Sequence, residues 1–137
     1  MLKKIVVTIF ILTITASSVA LAEEKNPIDK WFGQCVEKDS STAGMLDCCS
    51  QSYEMWGKEL NKTYRELMRK LNPADQKLLK ESQREWLRNR DIDFKLMSKI
   101  LGEKEGTVWQ VEEANARMET VRERVLELEQ YLNAIEN

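Results

Sequence analysis

Three cysteines and a complete lack of histidine limit the chemistry open to this chain. Without histidine the usual general base of serine and cysteine nucleophiles is missing, so a catalytic triad in its common form is not available. Cys35, Cys48 and Cys49 lack a fourth ligand at metal spacing, so they do not make a closed zinc site, and no metal or cofactor is expected. In an oxidising space the odd count predicts one disulfide, from Cys35 to Cys48 or Cys49, with the third thiol buried or pairing between chains. A bridge between the adjacent Cys48 and Cys49 would close a strained eight-membered ring and ranks last. Acidic side chains are plentiful, but sequence spacing does not set two of them across a cleft as glycoside hydrolysis requires, and on charged helices they are solvated. The chain reads as a non-enzyme.

The densest group of chemically informative residues is Ser82 to Asp91, where Gln83, Trp86 and Arg90 fall three and four apart. On a helix that spacing puts an amide, an indole and a guanidinium on one face. Turned outward, such a face is a binding hot spot. Turned inward, Gln83 and Arg90 would hydrogen-bond to Tyr64 or Asn61 of a neighbouring helix and fix its register, and this structural reading is preferred. Tyr53 and Trp56 are core residues on the same reasoning.

The elements that position these residues are helices, since strand signals are absent and Gly and Pro fall at boundaries. Asn26-Pro27 to Trp31-Phe32 suggests one or two helical turns. A first long helix opens at Ser41-Thr42, with Met45, Cys49, Tyr53, Trp56, Leu60, Tyr64, Leu67 and Leu71 on one face. Gly57, inside it, suggests close packing by a neighbour. Asn72-Pro73 ends this helix and caps a second, which runs to Leu101 with Gly102 as its stop. So short a connection predicts an antiparallel hairpin. After a charged loop, Gly102 to Gly106, Thr107 and Gln110 predict a capping box for a third helix. Along it Val111, Met118, Val125 and Leu132 recur every seven residues, as do Ala114, Val121, Leu128 and Ile135. The seam is expected to close an elongated three-helix bundle on the hairpin, with the N-terminal segment tethered by the disulfide. The alternative use of Val111, Met118, Val125, Leu128 and Leu132 is a homodimer.

Upstream of all this, Met1 to Leu21 has a basic start and an uncharged run from Ile5, and Ala20-Leu21-Ala22 supplies a small-x-small cleavage site. Residues 1–22 are therefore expected to be a signal peptide and 23–137 a single domain, with no membrane anchor after cleavage. Losing Lys3 and Lys4 takes the formal charge from −2 to −4. An acidic domain argues against nucleic acid and favours a basic partner.

Thr42 through Cys48, the run Leu60-Asn61-x-x-Tyr64-x-x-Leu67, and the run Leu79-x-x-x-Gln83-x-x-Trp86-x-x-x-Arg90-Asp91 resemble the family named after the lysozyme inhibitor LprI. Arg122-x-Arg124 through Glu127-Leu128 is similar to its closing helix. The resemblance implies an exported, periplasmic or secreted bacterial inhibitor acting on a lysozyme, and host lysozymes of the common type are strongly basic; the alternative is a periplasmic interaction or structural module that holds a bacterial partner and inhibits no lysozyme. It also implies that Leu60, Asn61, Tyr64, Gln83, Trp86, Arg90 and Asp91 form the family motif, read here as fold-building. Many relatives carry two further cysteines, one at the position of Phe94, and their joint absence here implies that Cys35 pairs with Cys48.

Overall fold

Three of the four helices in residues 26–137, which are those described by the computed structural model, begin where a side chain takes up free backbone N–H groups. The expected signal peptide lies outside these residues. Asn26 accepts from Ile28 N at 2.9 Å and opens α1 (Pro27–Lys38). Ser41 Oγ accepts from Gly44 N at 3.1 Å and opens α2 (Thr42–Lys70). Asn72 accepts from Ala74 N and Asp75 N, at 2.9 and 3.0 Å, and opens α3 (Pro73–Gly102). Each of these caps satisfies donors that the helix itself leaves without a partner. The exception is α4 (Val108–Glu136): Thr107 is in the right-handed helical region and makes no side-chain cap, so the expected capping box with Gln110 does not form.

Two details of the turns explain local sequence choices. A Cβ at Gly44 would lie 2.3 Å from the Asp39 carboxyl carbon and 2.5 Å from the Asp39 carbonyl oxygen, so glycine is required where the α1–α2 connection folds over the start of α2. Gly57 meets nothing within 4 Å, contrary to the expectation of a close neighbour there. At the α2–α3 turn, Gln76 Nε2 donates to the carbonyls of Met68 and Leu71, at 2.9 and 3.0 Å. That side chain caps the end of α2 from the first turn of α3 and stiffens the corner.

α1 is longer than the one or two turns expected, with 12 residues. It is held to α2 by the Cys35–Cys48 disulfide and to α4 by a two-pronged ion pair, in which Arg122 Nε and Nη2 donate to the two Asp29 carboxylate oxygens at 2.8 and 2.9 Å. Cys49 keeps a free, buried thiol, whose pKa burial pushes up.

The core runs between α2 and α4. Trp56, Leu60 and Leu67 meet Met118, Val121, Val125, Leu128 and Leu132, with Ile28 and Leu79 joining from α1 and α3. Four of the five residues considered for a homodimer, Met118, Val125, Leu128 and Leu132, are buried inside the chain, and Val111 is half-buried. That seam is used within one molecule and is not free to pair two. The arrangement differs from the expected hairpin in one respect: α2 packs along α4, α1 packs on α2, α3 packs on α4, and α2 and α3 approach each other far less closely. α3 buries only Leu79 and Phe94, while Leu78, Ile92, Leu96 and Ile100 are more than half exposed.

Candidate functional site

With so few buried apolar residues, α3 is attached to α4 by cations and rings. Arg90 lies 5.3 Å from the Trp86 ring centroid and 5.8 Å from that of Phe94, all three on α3. From α4, Arg124 approaches the Trp86 ring to 5.8 Å and Arg117 approaches the Phe94 ring to 4.9 Å. Arginine and aromatic side chains therefore alternate along the contact, an arrangement favoured because the face of a ring attracts a cation.

Arg124 is the anchor of this contact. It is 4% exposed, and its donors reach Gln83 Oε1 at 3.0 Å, Ser82 Oγ at 3.0 Å and Glu127 Oε2 at 2.6 Å. Burial raises the Glu127 pKa, but hydrogen bonds from Arg124 and Tyr131 outweigh that and leave it below its ordinary value. Further along, Ser98 Oγ donates to Glu113 at 2.5 Å and Arg117 donates to both Glu113 and Ser98. These bonds hold the Glu113 carboxyl below its ordinary pKa, the Ser98 hydroxyl most strongly, against a smaller opposing effect of burial.

Arg122 and Arg124 thus divide the work. Two residues apart, they leave α4 on different sides, one gripping α1 and the other α3. Arg124→Ala is expected to cost about 1.5–3 kcal/mol, the range for losing hydrogen bonds made by a charged group, since its partners Ser82 and Glu127 reach solvent. Hydrogen exchange would show where: α3 amides should lose protection while those of α2 and α4 keep it, and uniform loss over all helices would contradict this local role.

Because α3 leans on α4 and not on α2, a groove of about 580 Å³ opens between α2 and α3, with Val121 of α4 in its floor. Tyr53, Leu60, Asn61 and Tyr64 line one wall, and Lys80, Gln83, Arg84 and Arg90 line the other. Five of the seven motif residues singled out from sequence, Leu60, Asn61, Tyr64, Gln83 and Arg90, are brought together here. Trp86 is turned into the contact with α4, and Asp91 is 57% exposed, accepting from Arg90 Nε at 3.0 Å and Nη2 at 2.6 Å. Gln83 bonds to α4 and not to Tyr64 or Asn61, so the predicted polar link between the first two long helices is replaced by one between the second and the third. Cys35 and Cys48 lie at the opposite face of α2, beside a separate hollow that they line with Trp31, Asp39 and Gln51.

A family model described as lysozyme inhibitor LprI matches residues 35–128, from the first cysteine of the disulfide to a core leucine of α4. The chain belongs to the LprI family. The match takes in the disulfide, the groove and both anchoring arginines. Among solved structures it is similar to an uncharacterized protein from Burkholderia thailandensis, with a TM-score of 0.73 and 28% identity over 82% of this chain. The chain spans 56% of the length of that protein. No curated protein matches it.

Sequence reasoning missed the part played by Arg122 and Arg124, whose signal was the pair of arginines set between the seam residues Val121 and Val125. It also missed the groove, which only the sideways displacement of α3 creates.

Proposed function

We propose that this protein is an exported, non-enzymatic binding protein that inhibits a lysozyme by direct contact. The observation that carries this reading is the LprI family match over residues 35–128. Two features of the molecule support it. Long, largely exposed helices suit protein contact better than enclosed catalysis, and the described residues contain no helix long and apolar enough to cross a membrane.

The contact surface we infer is the α3–α4 end of the molecule. Gly106, with φ of +99°, makes the turn there, and Lys104 is drawn over the Trp109 ring at 4.4 Å. Glu103, Glu105 and Glu112 are exposed around it. A strongly basic lysozyme would be steered to such an end by its charge.

Purified residues 23–137 should lower the muramidase activity of a common-type lysozyme in a turbidity assay. Reversing Glu103, Glu105 and Glu112 to Lys should slow association at least tenfold at low salt, within the range that electrostatic steering supplies. Full muramidase activity at a large molar excess of the protein would refute the reading. Inhibition untouched by the charge reversal would remove this surface from it.

A further inference from the structure

The groove between α2 and α3 stands apart from the acidic end of the molecule in its chemistry. None of the side chains lining it is a carboxylate, although the chain has 23 acidic residues against 21 basic. Lys80, Arg84 and Arg90 carry positive charge along the α3 wall. Lys80 has no ion-pair partner among the described residues, and Arg84 is 73% exposed with only loose surface pairs to Glu81 and Glu85, at 3.8 and 3.7 Å, whereas Arg90 is already engaged by Asp91 through Nε and Nη2. Across from them, Tyr53 and Tyr64 are half-buried, each with a ring packed against the core and its remaining surface free, and Asn61 is exposed between the two.

We propose that this groove is a binding site for a carboxylate-bearing amino sugar, with Lys80 and Arg84, one helical turn apart, taking the carboxylate and Asn61 and Tyr64, also one turn apart, taking the sugar ring. Each part of the ligand has a counterpart. The cations meet the carboxylate, and guanidinium groups do so with matched, paired donors. The Tyr64 ring offers an apolar face to the C–H side of a pyranose, while its hydroxyl and the Asn61 amide can bond to ring hydroxyls and an acetamido group. The volume lies within the range of small-ligand sites, about 300–1,000 Å³. The walls are preformed: Gln76 locks the corner that joins them, and Arg124 holds Gln83 in place behind the α3 wall. An acidic peptide would use the cations but leave the aromatic and amide wall without a match.

This inference goes beyond lysozyme inhibition and does not depend on it, since binding is measured with no lysozyme present. Residues 23–137 would be titrated by calorimetry with N-acetylmuramic acid, with N-acetylglucosamine, which has the ring and acetamide but no carboxylate, and with lactate, which has the carboxylate and no ring. N-Acetylmuramic acid should bind at least tenfold more tightly than either of the others. Lys80→Ala with Arg84→Ala should reduce its binding at least tenfold and leave the melting temperature unchanged, because both side chains are exposed. Equal affinity for N-acetylglucosamine, unaltered binding by the double variant, or no heat at about 10 mM of the acid, a concentration at which millimolar binding is readily seen, would each overturn the proposal. An acidic peptide that binds more tightly than the sugar would overturn it as well.

Discussion

Replacing Trp56 with alanine should cost about 3–5 kcal/mol, the usual range for emptying a large aromatic from a packed core. Trp56 is 0% exposed and sits in α2 at the centre of the core that α4 completes. The Arg122 guanidinium lies 5.8 Å from its ring, so the same substitution also loosens the ion pair that holds α1. A domain of this size has about 5–15 kcal/mol of stability in all, and thermal melting should fall by roughly 15–25 °C. Trp56→Phe is the informative comparison. Its Nε1 has no hydrogen-bond partner among the described residues, so phenylalanine keeps most of the ring contact and removes an unsatisfied donor. The cost of that change should fall clearly below that of Trp56→Ala, because the remaining ring leaves a smaller cavity and no unsatisfied donor. If both variants melted alike, the aromatic packing would not be what Trp56 contributes.

Removing the disulfide with Cys35→Ser and Cys48→Ser should cost about 3 kcal/mol, since the two cysteines are 13 residues apart and the bridge closes a loop of that order in the unfolded chain. The loss will not be spread evenly. Apart from the disulfide, α1 is held by the Arg122–Asp29 ion pair and by the burial of Ile28. The double variant should therefore release α1 before the rest unfolds, visible as early proteolysis within residues 27–38. Urea unfolding gives the size of the effect, and a shift below about 0.5 kcal/mol would show that α1 is held by packing alone. Cys49→Ala is the matched control. It removes a buried thiol without touching the bridge, and its effect should be a small fraction of the double variant's.

The helix boundaries were legible because their chemistry is local. Ser41, Asn72-Pro73 and Gly102 each mark an end in a way that neighbouring residues alone decide, and the structure places α2 and α3 within a residue or two of those marks. Thr107 shows the limit of the same approach: the residue types of a capping box are present, but the backbone enters α4 already helical and leaves the side chain nothing to cap. Which helices would pack together was not legible. A short turn says that α2 and α3 are consecutive and reversed, not that their faces meet. Their separation follows from what α3 lacks, a continuous apolar stripe, and from what α4 has, arginines that reach sideways to polar partners. A heptad pattern registers only the apolar seam and treats such residues as flanks. The motif residues were found from sequence, but their meeting in one groove depends on that lateral placement.

The pairing of α2 with α4 has a consequence for how the chain comes into being. During synthesis α1, α2 and α3 emerge before any of the residues that cover Trp56 and Leu67 from α4, so that part of the interior cannot close until α4 is present. Contacts between segments this far apart in sequence close last and set the folding rate. Until α4 reaches α2, the side chains around Trp56 and Leu67 have no interior to join, and the helices become one rigid unit only when it does.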